Sequence, residues 1–331
     1  MLEILSITGP IYLAMAAGYL SVRLGLFGVA DVRVMGTFVV NIALPCLLFA
    51  TLSHRAIADV VTPTYLAAYG VSILVTAGLG MLWARRVRGM APARSVIVAM
   101  GMSCPNSGFV GFPVLLLALP AVAPQVLAMN MVIENLLTLP LLMALADQAA
   151  GVGAPWHRTL VQILGRLVRN PLVIGLVAAV AMSLSGVPVP GVLDRTVTLF
   201  AQVSGGLSLF AIGASLGGRR AGEAPRIGLG QRLAEIAPIT LVKLVLHPVI
   251  TIAVLVGLAI MGLPALTPEL RTAVILSTAM PMLSIYPILA LRYGHEELAS
   301  LAVAVTTLAT AITLTVLLWA VQQHLPVLTA G

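Results

Sequence analysis

Residues 101–113 read GMSCPNSGFVGFP and set an asparagine, two serines, three glycines and two prolines inside an otherwise apolar run. Pro105 has no backbone donor and crowds the turn before it, while Gly108 and Gly111 weaken a helix continuing past it. The carbonyls freed at such a break suit a cation. The amides that open the second half-helix suit an anion, and Asn106 or Ser107 is placed to cap them. A second interruption, AMPMLSIYP at 279–287, carries Pro281, Ser284 and Pro287. Freed backbone groups cannot face hydrocarbon, so the pair of breaks predicts a polar site enclosed by protein near the middle of a membrane.

Ionisable residues inside apolar runs are few. Glu134 lies in NMVIENLLTLP with Asn135 beside it. A bare carboxylate there is costly, so Glu134 is either paired or holds a proton, and it is a candidate for proton coupling as well as for a static interhelical acceptor. Lys243, the single lysine, lies in PITLVKLVLHPVI. A central lysine costs about 2.5–3.5 kcal/mol on insertion, so it faces the protein interior or snorkels; its partner is Glu134 or the substrate site. His247 follows four residues on, on the same helix face, and is expected to be a neutral, packed imidazole beside that cation. Asn41 and Pro45 interrupt an earlier run, with Asn41 either bonding a freed carbonyl or acting as interhelical glue. Ser107 with His247 would also be the minimum for an intramembrane hydrolase, but no orienting acid is in place. Neither a phosphate-cradling Gly-x-x-x-x-Gly-Lys nor a His-Glu-x-x-His is present, so no nucleotide, metal or other cofactor is expected. Cys46 and Cys104, both in apolar runs, carry no disulfide or metal argument.

These residues need elements to hold them. The chain has 331 residues, 60% hydrophobic and 9% charged, with mean hydropathy +1.08, which excludes a soluble surface. Runs long enough to cross a bilayer as helices fall near 4–22, 34–53, 62–84, 94–118, 123–146, 170–186, 194–217, 235–262, 270–291 and 297–320. The first lacks the basic flank of a cleaved leader and reads as a span. Placing the N-terminus outside puts 14 arginines in inside loops and three in outside loops, which predicts ten spans with both ends outside. The net charge of +7 is thereby an orientation signal and not a nucleic-acid footprint. GPIYLAMAAGYLSVRLGLF from Gly9 echoes NPLVIGLVAAVAMSLSGVPV from Asn170, LLFA at 47–50 echoes SLFA at 208–211, and the two proline breaks correspond. Five spans per half require opposite insertion, so the expected fold is all-α, a five-plus-five inverted repeat over 1–146 and 170–322 with a linker at 147–169. Gly205, Gly206, Gly213, Gly217 and Gly218 are read as positions of close helix packing.

NIALPCLLFATLS (41–53), CPNSGFVGFPVLL (104–116), RNPLVIG (169–175) and MPMLSIYPILALRYG (280–294) together resemble the auxin efflux carrier family, in family order over nearly the whole chain. The large cytoplasmic loop of many plant members is missing, as in the bacterial, malonate-transporter-like branch. The resemblance implies a multi-pass protein of the bacterial inner membrane with a scaffold of spans one, two, six and seven. The remaining spans would form a mobile unit whose fourth and ninth helices cross at their breaks. It also implies a small organic anion as substrate, a carboxylate such as malonate or an auxin-like acid, moved by a rocking or elevator motion. Asn106 carries over as a substrate contact, with Pro105, Ser107 and Gly108 around it. No asparagine follows Pro281, which leaves Ser284 and Tyr286 as its polar stand-ins. Proton coupling, sodium coupling as in bile-acid carriers, and a homodimer stay open, as does a passive channel or receptor on the same fold.

Overall fold

The computed structural model describes residues 2–54, 61–151, 168–218 and 229–324, with short pieces at 161 and 164–165. Among these residues the structure is helical, without a strand. The helices are α1 (Leu2–Arg23), α2 (Val29–Leu52), α3 (Pro63–Arg86), α4 (Pro92–Ser103), α5 (Ser107–Ala118) and α6 (Ala123–Ala149). They continue with α7 (Pro171–Ser185), α8 (Gly191–Gly217), α9 (Leu229–Leu241, prolonged through Val242–Leu246 and His247–Ile260), α10 (Pro268–Ala279), α11 (Tyr286–Leu291) and α12 (Glu296–His324). Every apolar run read from the sequence holds a helix, and the runs 94–118 and 270–291 are each split in two. Among the described residues six helices are long and apolar enough to cross a bilayer by themselves, from α2 to α12. The chain is a polytopic helical membrane protein. The linker at 147–169 lies for the most part outside the described residues.

Four of these helices contain a wide, π-helical turn, at Val39–Ala43, Ser107–Gly111, Ile133–Thr138 and Val242–Leu246. In each case a proline follows two residues after the turn: Pro45, Pro113, Pro140 and Pro248. A proline ring collides with the carbonyl four residues before it, and that carbonyl (Asn41, Phe109, Leu136 or Leu244) lies inside the turn. Widening by one residue relieves the collision and keeps the helix going. The closing bonds are those of a π turn: the amides of Leu44, Phe112, Leu139 and His247 donate to the carbonyls of Val39, Ser107, Glu134 and Val242.

Two packing groups emerge. Helices α1, α2, α7 and α8 pack on one another, and α3, α4, α6 and α9–α12 form the other group. A core containing Ala77, Ile97, Met100, Leu142, Ile236 and Ala302 belongs wholly to the second group. In the first group α1 and α8 touch at the backbone, where Gly213 faces the Met15 carbonyl and Gly18 faces that of Phe210. Of the glycines expected at close contacts, Gly213 and Gly217 meet main chain of α1 and Gly218 meets Val29. Gly205 meets only the end of Leu116, and Gly206 faces open space.

Candidate functional site

The two helix breaks meet. The amide of Asn106 donates to the Pro281 carbonyl at 2.8 Å, and that of Leu283 donates to the Cys104 carbonyl at 3.1 Å, a one-rung antiparallel bridge between Pro105 and Met282. Backbone groups freed at one break are thus satisfied by the other, deep inside the protein. Asn106 does three further things. Its Oδ1 accepts from the Phe109 amide at 3.2 Å and so caps α5, its Nδ2 donates to Ser284 Oγ at 2.5 Å, and its side chain lines a cavity of about 310 Å³.

That cavity opens between the packing groups. Gly108, Phe109, Ser284 and Ile285 come from the breaks, Met131, Glu134, Asn135 and Leu139 from α6, and Val40, Leu44, Asn170 and Leu172 from α2 and the start of α7. Asn170 Oδ1 caps α7 by accepting from Leu172, while its Nδ2 donates to Asn135 Oδ1 at 2.9 Å and so ties α6 to α7. Two capped helix N-termini, those of α5 and α7, therefore border one space. Among the described residues no lysine, arginine or histidine lines it.

Behind the cavity, Glu134 is held by hydroxyls. Ser107 Oγ and Tyr69 OH both donate to its Oε1 at 2.5 Å, locking α3, α5 and α6 together. The polar cluster continues inward: Asn130 Nδ2 donates to Ser277 Oγ at 3.0 Å, and Tyr65 OH donates to Asn130 Oδ1 at 2.9 Å. Tyr65, Tyr69, Asn130 and Ser277 were not singled out in the sequence. Glu134 and Asn135, expected from the sequence, lie in a wide turn six and five residues before Pro140; Asn130, one turn earlier, carries no such marker.

Lys243 is fully buried yet does not pair with Glu134. Its Nζ donates to the Thr278 carbonyl at 2.6 Å and lies 3.1 Å from His247 Nδ1. Thr278 closes α10, so the lysine supplies positive charge where the C-terminal end of a half-helix is negative. Lys243 and His247 do not line the cavity, nor do Pro105, Pro281 or Ser107. Tyr286 points away from it as well: a ring that fits against Gly101 carries its hydroxyl to the Ile97 carbonyl at 2.9 Å, inside the second packing group. Asn41 is exposed and makes no hydrogen bond among the described residues; Val40 beside it reaches the cavity. Ser107 has Glu134 and Tyr69 for neighbours, and His247 turns to Lys243, so these two do not form a nucleophile and its base.

A fold of packed apolar helices with an enclosed site at paired breaks is that of a membrane transporter. The family described as "Membrane transport protein" matches residues 7–119 and 153–318, and the chain belongs to that family, the auxin efflux carriers. A protein of Rhizobium meliloti (strain 1021) named "Putative malonate transporter" is 27% identical over 329 residues, covering 98% of this chain and 97% of the relative. One from Escherichia coli (strain K12), "Uncharacterized transporter YfdV", is 28% identical over 304 residues, 89% of this chain and 91% of the relative. A shorter match, 34% over 101 residues, is to an "Uncharacterized transporter" of Methanothermobacter thermautotrophicus, covering 29% of this chain and 32% of that protein. These are transporters, not enzymes.

Proposed function

We propose that this protein is a secondary transporter of the bacterial inner membrane for a small organic anion with one carboxylate and an apolar body. The observation that carries the reading is the cavity, bordered among the described residues by two helix N-termini and five polar side chains but by no cationic one. A helix N-terminus stabilises one anionic group by about 0.3–1 kcal/mol, up to ~2 kcal/mol when partly buried. Asn106, Asn135 and Asn170 add amide groups that can turn toward a carboxylate, and Leu44, Phe109, Met131 and Leu172 offer it an apolar wall. A second carboxylate on the same small molecule finds a partner only by reaching the other N-terminus; against that wall it would lie unpartnered, at a cost of several kcal/mol. The name of the Rhizobium relative supports a second reading, a dicarboxylate such as malonate.

In this reading the chain has ten spans, α4 with α5 and α10 with α11 each making one, arranged as an inverted five-plus-five repeat with both ends outside. The group of α1, α2, α7 and α8 is the scaffold, and the other group, joined by α5 and so carrying the crossed breaks, moves past it. The packing of the described helices into these two groups supports that division. Glu134 borders the cavity, and a bare carboxylate there would repel an anion, so cargo and proton enter together, with Glu134 holding the proton.

Counterflow in proteoliposomes tests the substrate. Labelled phenylacetate should exchange saturably and compete at least tenfold more strongly than malonate, a difference of about 1.4 kcal/mol. Preference for malonate would favour the dicarboxylate reading, and flux without counterflow would make the protein a channel. For coupling, Glu134→Gln should keep exchange but flatten the dependence of net uptake on an imposed pH gradient. An unchanged pH profile would remove Glu134 from that role.

A further inference from the structure

A second cleft, of about 700 Å³, shares no residue with the central cavity. It is lined by Gly78, Met81, Leu82, Arg85 and Arg86 of α3 and by Gly89, Met90 and Pro92 of the turn into α4. Its shape is set locally. Gly89 is left-handed, with φ +59°, and the amide of Met90 returns to the Ala84 carbonyl at 3.0 Å, a motif that ends α3 and folds the chain back over its last turn. No atom lies within 4 Å of where a Cβ on Gly78 would sit, so the floor of the cleft is open toward the surface of α3.

The charges of the cleft are one-sided. Arg85 and Arg86 are exposed, neither has a hydrogen-bond or ion-pair partner among the described residues, and no carboxylate lines the cleft. Arg88, by contrast, is drawn out of it and stacks over Trp83 with its guanidinium 5.8 Å from the ring centroid. Along the same face of α3, away from the arginines, runs an exposed apolar stripe of Val71, Val75, Leu79 and Leu82. The opposite face, with Tyr69, Ile73 and Ala77, is buried. Because α3 is apolar and long enough to cross the bilayer, that stripe faces acyl chains and the arginine pair stands at headgroup depth.

We infer that this cleft is a binding site for an anionic phospholipid, its phosphate held between Arg85 and Arg86 and one acyl chain laid in the groove over Gly78. Arginine recognises phosphate through paired N–H donors, and the groove continuous with the stripe distinguishes a lipid from free phosphate. A zwitterionic lipid brings an ammonium that two unpaired guanidiniums repel. The site is independent of the transported cargo.

Thermal unfolding of the delipidated full chain in detergent tests it, with phosphatidylglycerol, phosphatidylcholine or inorganic phosphate added. Phosphatidylglycerol should raise Tm by several degrees more than phosphatidylcholine, and phosphate should have no effect. The double change Arg85→Gln, Arg86→Gln should abolish the difference between the lipids, and Gly78→Leu, whose Cβ meets no atom within 4 Å and whose side chain takes up groove space, should reduce it. Arg88→Gln should leave it intact. Equal shifts with both lipids, a difference that survives the double change or the Gly78 change, or a shift reproduced by phosphate alone would each overturn the assignment. Reading the difference between lipids keeps the result interpretable where a variant changes baseline stability.

Discussion

Replacing Asn106 with alanine is expected to lower transport by about two orders of magnitude while leaving a folded protein. The side chain supplies a helix cap, whose loss typically costs about 1 kcal/mol, and a bond to Ser284 in the ordinary range of about 0.5–1.5 kcal/mol. The main-chain bridge, from the Asn106 amide to Pro281 and from the Leu283 amide to Cys104, needs no side chain and survives. Stability should therefore fall modestly, and Tm by a few degrees. Transport suffers more because the cap, the crossing of the two breaks and the cavity wall all depend on the same amide, and each 1.4 kcal/mol lost is a factor of ten. Asn106→Asp separates the roles. A carboxylate still caps α5 and restores Tm, but it sets a negative charge against an anionic cargo, so transport stays lost. Initial uptake rates together with thermal unfolding of both variants decide the matter; wild-type uptake by the alanine variant would take Asn106 out of the site.

Gly213→Leu is expected to give no properly folded protein. A Cβ at 213 would lie within 2.7 Å of the Met15 Cα and closer still to its carbonyl, and a Cβ at Gly217 would lie 2.6 Å from the Tyr19 carbonyl oxygen. Those atoms are main chain of α1, so no rotamer change makes room, and the helices must part along their length. Overpacking of a core that can adjust costs about 1–3 kcal/mol; here the adjustment is a loss of the interface itself. The dispersion contacts that associate helices in lipid, where no hydrophobic gain between them exists, go with it. Gly206→Ala on the same helix faces open space and should keep, or slightly improve, stability. Size-exclusion profiles of fluorescently tagged variants would show an aggregated or absent peak for Gly213→Leu and a single peak for Gly206→Ala. A single peak for both would mean that α1 and α8 separate at little cost.

The sequence reading went furthest where one physical constraint dominates. An apolar run of about twenty residues has few alternatives to a helix, and Pro105 and Pro281 announce their breaks because the missing N–H falls beside polar residues that compete for the backbone. Asn106 as a cap followed from its chemistry and its position before a helix restart. What could not be read were partnerships that depend on main chain or on distant elements. Lys243 bonds a carbonyl of α10, and a search for charged side chains cannot find a carbonyl. Tyr65 and Tyr69 look like interfacial aromatics in a span, yet they reach Asn130 and Glu134 across to α6. Tyr286 was expected at the cargo because it lies next to a break, but two residues past Ser284 the restarted helix has already turned it to the other side. Asn170 entered as the start of a repeat and within RNPLVIG, but not as a site residue, although it lies against Asn135 at the cavity rim.

The wide turns before Pro45, Pro113, Pro140 and Pro248 carry a consequence for how faces along these helices are assigned. Each turn holds one residue more than an α-helix would, about 100° of rotation. A helical wheel drawn straight through α6 therefore assigns residues after Leu139 to the wrong side, and a wheel through α9 does the same after His247. Helices α2, α6 and α9 are each two wheels joined out of phase, with Asn41, Glu134 and Lys243 lying in the joints, while Ser107 opens the wide turn with which α5 begins. A one-residue deletion in such a joint would act less as a local lesion than as a rotation of everything on one side of it. The half beyond would present lipid-facing residues to the core, while the residues before it kept their places.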